Sequence, residues 1–284
     1  GRVAAAGGSV TAAPGAVAVE GADALTVLVA LYHDESADTA VPRLREQIAE
    51  LPGDYEALLA PHREAHRPLF RRCVLELDHA DVPADVPNED LLARAYDGDV
   101  PPALVQRMHD LGRFLLIGSS RPGGLPANLQ GVWNGDYAPA WAADYHNDEN
   151  VQMCYWLAGP AQLSELALPM FDYYESFLEN YRENAQKLYG CDGIYVPIVQ
   201  ATHGLMHNVH WVSWTAAAGW LGEHFFDHYR FTGDRAFLAE RAVPWLKECL
   251  AFYEDFLIDD GTGTLAFVPS LSPENIPAGC QSMV

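Results

Sequence analysis

The chain has 284 residues, 49% of them hydrophobic, with 39 acidic against 17 basic side chains and a formal charge of −22. That composition supplies a sizeable core and excludes disorder as the main state. The charge argues against nucleic acid, anionic lipid and polyanionic substrates, leaving a neutral ligand as the better fit, although most of the acidity reads as a solvated surface.

In chain order, residues 1–33 read as strands: GGSVTAA, AVAVEG and ALTVLVALYH are β-branched runs separated by Gly, Pro and Asp. Residues 40–62 read as two short helices around Pro52-Gly53, and LFRRCVLELD over 69–78 alternates like another strand. A Pro/Asp-rich linker follows, with a boundary near residue 88. From there the pattern is helical: LLARAYDG, ALVQRMHDLGRFLLIGSS, an apolar period from Leu163 to Tyr189 in which Pro169 starts the helix proper, a helix from Trp214 to Phe231, and one over 236–258 capped by Asp234. No fixed repeat marks a solenoid. Paired helices joined by long polar loops predict a toroid of helical hairpins with its site built by loops.

Five cysteines (Cys73, Cys154, Cys191, Cys249, Cys280) lie far apart without a CxxC pair, so neither a zinc ribbon nor a disulfide framework is expected. No 18-residue apolar run occurs, so no membrane span is expected. The chain starts at Gly1 and stops at Val284 without tail-like composition, which reads as a fragment cut at both ends; a cleaved signal stays open.

The most informative stretch is 125–156, LPANLQGVWNGDYAPAWAADYHNDENVQMCYW. Aromatic rings alternate there with amides, carboxylates and a histidine. Sugars need that mixture, stacking their C–H faces on rings and sharing their hydroxyls with donors and acceptors. The alternative is a polar loop leading into a buried helix. Within it, Asp148-Glu149-Asn150 sets adjacent carboxylates in an aromatic segment, where one could deprotonate water; otherwise they form an exposed first helical turn. Ser272-Pro273-Glu274-Asn275 holds a glutamate behind a rigid proline. In a poorly solvated pocket its acidity would weaken and suit a general acid; the competing reading is a helix N-terminus. His203, His207 and His210 could share a helix face as metal or ligand contacts, but no HExxH is present, and Gly204 and Val209 weaken the helix. No GxSxG supports a serine triad.

LPANLQGVWN, DYH, NVQM, YW, FTGD and PSLSPEN, in that order, resemble glycoside hydrolase family 95, which contains 1,2-α-L-fucosidases and related α-L-galactosidases. The resemblance implies a mainly α fold: 1–38 as the end of an N-terminal β-sandwich, 39–87 as a linker region with short helices and a strand, and 88–284 as the first part of an (α/α)6 catalytic barrel. It implies an inverting exo-hydrolase whose general acid is Glu274, with the acid and the water-activating group roughly 6.5–9.5 Å apart. The family's two water-positioning Asn fall on Asp148 and Asn150, so the first is replaced by an acid that could itself be the base. Glu149 stands where an apolar residue is usual, and His210 where an Asp is expected. Asn128, Trp133, Trp141, His146, Glu149, His207 and His210 are expected to shape the sugar pocket. The family's catalytic Asp would lie beyond Val284, and a twelve-helix barrel would not close within 88–284, so an exposed apolar barrel interface is expected.

The resulting expectation is a glycosidase most like an α-L-fucosidase, acting on oligosaccharides or glycans, with no metal or organic cofactor and exported by analogy. Its remaining partners would be the rest of its own barrel and a C-terminal domain. A carbohydrate-binding protein of the same fold that has lost hydrolysis is the alternative. A phosphorylase is weaker, because few basic residues lie near these motifs.

Overall fold

The computed structural model describes residues 1–32, 35–78, 82–208 and 211–274, and the chain divides into two compact units, Gly1–Pro68 and Leu69–Val284.

In the first unit, β1 (Arg2–Ala6), β2 (Ser9–Ala13), β3 (Ala16–Glu20) and β4 (Ala24–Leu28) form two antiparallel pairs, β1 with β4 and β2 with β3. Arg2 stands opposite Leu28, and Ala13 opposite Ala16. Pro14-Gly15 closes the inner hairpin, with Gly15 at φ +74°, a left-handed conformation that glycine adopts without strain. α1 (Ala37–Glu50) is capped by Ser36, whose hydroxyl accepts from the Asp38 N–H at 3.2 Å. Its last carbonyls have no helical partner; the Arg2 guanidinium donates to those of Ile48 (3.1 Å) and Leu51 (2.7 Å). Pro52-Gly53 separates α1 from α2 (Tyr55–Phe70), as the sequence predicts.

The expected strand over 69–78 does not form. Leu69 and Phe70 complete α2, and 71–78 contains no strand. Side chains meet the end of α2 and one amide of the stretch that follows. The buried Arg113 guanidinium donates to the carbonyls of Leu69 (2.9 Å) and Phe70 (2.7 Å), and Gln106 Oε1 accepts from the Leu77 N–H at 3.1 Å.

The second unit is helical: α3 (Asn88–Tyr96), α4 (Pro102–Ser119), α5 (Asn150–Tyr155), α6 (Leu168–Glu175), α7 (Leu178–Tyr189), α8 (Ala217–Thr232), α9 (Arg235–Phe237) and α10 (Val243–Phe256). Short pairs interrupt it: β5 (Tyr145–His146) with β6 (Val199–Gln200), and β7 (Ile258–Asp259) with β8 (Leu265–Ala266). The apolar period from Leu163 is realised as two helices, broken at Ser176-Phe177, with Pro169 in the first turn of α6. Asp234 caps α9 by accepting from the Phe237 N–H at 2.9 Å, and a π-helical turn (Leu238–Ala242) joins α9 to α10.

The main core is aromatic. Trp245 of α10 stacks on Phe225 of α8 with centroids 4.8 Å apart, and its indole N–H donates to the Ala218 carbonyl at 2.9 Å. Phe171, Tyr174, Tyr181 and Phe237 close round this pair. A smaller cluster packs Tyr195, Phe252 and Phe256. Along α4, Val105, Met108 and Leu111 are exposed apolar side chains.

The three-histidine segment is not helical over 201–208. Its backbone is held instead by α7: the Gly204 N–H donates to Asn180 Oδ1 (3.1 Å), and its carbonyl accepts from Asn184 Nδ2 (2.7 Å). A Cβ at Gly204 would stand 2.5 Å from the Tyr181 ring, so this close approach needs glycine.

Candidate active site

Ala140–Ala143 forms a 3-10 turn in which Trp141 (φ 49°), Ala142 (φ 55°) and Ala143 (φ 49°) all hold left-handed backbone. For residues with a Cβ this costs roughly 1–2 kcal/mol each. The turn feeds into β5, where Tyr145 lies opposite Gln200 and His146 opposite Val199. Side chains alternate along such a segment. Tyr145 and Asn147 point into the core, and Asp144, His146 and Asp148 stand half-buried between them.

The core face is anchored by hydrogen bonds. The Asn147 N–H donates to the Ile198 carbonyl, and its Nδ2 to the Pro197 carbonyl, both at 2.7 Å. Its Oδ1 accepts from the Tyr174 hydroxyl, and its own carbonyl accepts from Gln152 Nε2 at 2.7 Å. Tyr181 donates to Gln200 Oε1 at 2.8 Å in the same buried network. These bonds fix the backbone from which His146 and Asp148 project.

The other face borders a cavity of about 420 Å³ lined by Trp141, His146, Asp148, Glu149, Asn150 and Glu274. Leu129, Gln130 and Pro273 complete the lining. Two residues far apart in sequence, Asp148 and Glu274, thus share one polar space. Burial, the largest cause, raises the Asp148 carboxyl above the ordinary range, and the charges of Glu274 and Glu149 push the same way. Asp148 Oδ1 is buried with no hydrogen-bond partner among the described residues. His146 is also raised, first by the Asp144 carboxylate, whose Oδ1 lies 3.0 Å from Nε2 without the alignment of a hydrogen bond, then by the charges of Asp148 and Glu274; burial opposes them.

Among the described residues Glu274 is exposed and no poorly solvated pocket surrounds it. The one aromatic lining residue, Trp141, is itself 72% exposed and cannot exclude water there. The described residues end in a turn at Glu274, not in a helix, and Asn275 lies outside them. Glu149 and Asn150 are exposed at the entry to α5, so the simple reading of a solvated first turn fits Glu149 even as it lines the cavity.

Other expected residues fall elsewhere. Trp133 lies against Gly118 and Gly131 and lines a separate, mainly apolar cavity of about 390 Å³ with Leu115, Leu116, Met153 and Leu157. Asn128 lines that cavity too, and its Oδ1 is occupied by the Gln130 N–H at 2.9 Å. A smaller space of about 180 Å³, bordered by Asn128, His146 and Asn150, lies between the two. His207 is exposed, its ring 5.7 Å from that of His203, and does not line the polar cavity. His210 lies outside the described residues. Among the described residues, no group of three or more His, Cys, Asp or Glu side chains is arranged to hold a metal ion, and no helix is long and apolar enough to cross a membrane. Gln130 and Asp144 belong to the hydrogen-bonding groups of the 125–156 stretch; Gln130 lines the polar cavity, and Asp144 stands behind it against His146. For Asp144 the signal was available, because a strand period of two starting from Asp148 passes through His146 to Asp144.

The profile of the glycosyl hydrolase family 95 catalytic domain matches residues 54–283, and the chain belongs to that family. Among curated relatives it is similar to alpha-L-fucosidase 2 of Arabidopsis thaliana, 36% identical over 229 residues, covering 78% of this chain and 27% of the relative. It is 35% identical over 231 residues to the probable alpha-fucosidase A of Aspergillus niger, covering 78% of this chain and 29% of the relative. A probable alpha-fucosidase A of Aspergillus oryzae is 43% identical over 102 residues, covering 36% of this chain and 14% of the relative. The chain thus spans under a third of the length of these relatives.

Proposed function

We propose that this chain carries the acid and water-activating groups of an inverting exo-glycosidase that removes terminal α-L-fucosyl, or related α-L-galactosyl, residues from oligosaccharides or glycans. The observation that carries the reading is the single cavity shared by Asp148, Asn150 and Glu274. Glu274 protonates the leaving oxygen. Asp148 deprotonates water that Asn150 orients on the opposite face of the sugar, as inversion requires. A carboxyl raised by burial is a stronger base than a solvated one, which suits Asp148 to that task. Trp141, His146 and Glu149 contact the sugar. Family membership and the names of the relatives support the fucosyl class.

On the same reading, 1–38 is the end of a β-sandwich, 39–87 a linker region and 88–284 the first part of an (α/α)6 barrel. The exposed apolar side chains of α4 then pack against later helices of that barrel.

Incubation with an aryl α-L-fucoside and a fucosylated oligosaccharide, followed by proton NMR of the product anomers, tests this directly. Release of β-L-fucose that disappears in Glu274→Gln supports an inverting fucosidase. Release of the α anomer, or full activity in Glu274→Gln, would refute it. Binding of the oligosaccharide without turnover favours the alternative, a carbohydrate-binding protein that has lost hydrolysis; the replacement of an Asn by Asp148 motivates that reading.

A further inference from the structure

Asp144 does not line the polar cavity, yet it grips a residue that does. Its Oδ1 lies 3.0 Å from His146 Nε2, and the two side chains are only 14% and 20% exposed. The pairing follows from the backbone, because residues two apart on an extended segment share a face. The Asp144 main chain also ties the cavity walls together: its carbonyl accepts from the Leu129 N–H at 3.2 Å, and its N–H donates to the Trp141 carbonyl at 3.3 Å. The charged groups acting on His146 are Asp144, Asp148 and Glu274, and Glu149 lines the same cavity. Among the described residues no Lys or Arg lines it, so His146 is the sole cationic side chain the wall can offer.

We propose that Asp144 is a positioning residue whose carboxylate, 3.0 Å from Nε2, holds His146 at the cavity wall by charge, so that the ring serves the bound sugar as a cationic donor. This rests on the reading of the cavity as a glycoside site. A cation between Asp148 and Glu274 offsets their mutual repulsion, so two carboxylates with different roles can occupy one space. A neutral imidazole would present a lone pair and accept where the sugar needs a donor. Asp144→Asn keeps the shape and removes the charge.

The test is a 15N NMR titration of His146, together with kcat/KM against pH, in the unaltered protein, Asp144→Asn and Asp144→Glu. The expected result is a His146 midpoint above the ordinary histidine value of about 6.5 in the unaltered protein. In Asp144→Asn, proton affinity should fall about tenfold, with the alkaline limb of kcat/KM moving to lower pH by the same factor. Asp144→Glu should keep both. A merely structural Asp144 would lower kcat at every pH and leave the limb in place. An unmoved midpoint in Asp144→Asn, or a moved midpoint with an unmoved limb, overturns the proposal. If Asp144→Asn does not fold, the unaltered protein decides, because a midpoint at or below 6.5 sinks the idea. Absence of turnover on any glycoside defeats the reading of the site instead, and the NMR titration still decides the Asp144–His146 pair.

Discussion

His146 and His224 are the same side chain in opposite settings. His146 stands on the cavity wall, where carboxylates raise its proton affinity. His224 of α8 is 8% exposed among aromatic neighbours, and burial pushes it down to about 4, against weak opposition from Asp227. Both sit in the helical unit, yet carboxylates outweigh burial at one and burial outweighs a carboxylate at the other. Charge is expensive to hold where nothing compensates it, so its concentration round Asp144, His146, Asp148 and Glu274 makes that face the candidate for chemistry. The contrast recurs within one short segment, where Tyr145 and Asn147 serve the core and their neighbours serve the cavity.

If that division holds, cavity substitutions change rates and core substitutions change stability. The largest effect is expected from Asp148→Asn, which should lower kcat on a fucoside by about 10²–10⁴-fold and leave the melting temperature nearly unchanged. An unchanged rate would remove Asp148 as the base. Trp245→Ala should do the reverse, losing roughly 3–5 kcal/mol in denaturant unfolding, because its stacked indole is 2% exposed and leaves a cavity behind.

The third effect is acid lability. His224 binds its proton less readily when folded than when unfolded, so stability is lost as pH falls from about 6.5 through about 4. The full loss is about 3 kcal/mol, and replacing His224 by Asn should flatten that slope. His146 works the other way: its raised affinity stabilises below the unfolded value of about 6.5, and that contribution fades as pH rises through its folded value. Chemical denaturation across pH 4–8 separates the two, and equal slopes in the His224 variant and the unaltered protein would break the comparison. The smallest effect is Trp141→Ala, expected to raise KM by a few-fold, equivalent to about 0.5–1.5 kcal/mol of ring contact, with kcat little changed.

Much of this was legible in the sequence where one physical rule acted alone. Asp234 reads as a cap because its side chain has a single nearby N–H to satisfy. Pro52-Gly53 reads as a break for the same local reason. The polar cavity was legible in part: Trp141, His146, Asp148, Glu149, Asn150 and Glu274 were all expected, and all line it. The structure departs most from local patterns where distant groups decide. LFRRCVLELD alternates like a strand, but its first two residues finish α2, whose last carbonyls accept from the distant Arg113. Trp133 carries a sugar-binding composition, yet Gly118 and Gly131 open a slot that draws its ring to α4. Gly131 lies two residues away, but Gly118 is on α4, and nothing in the local sequence records it as a partner.

The three left-handed residues at Trp141, Ala142 and Ala143 bear on how this protein would respond to engineering. Glycine adopts that backbone freely, so a selection for heat resistance alone should gather glycines at 142 and 143. Each would relax the turn that holds the Trp141 indole at the cavity. Such a selection would therefore raise thermostability while blurring the site, and variants intended for catalysis need both traits screened together.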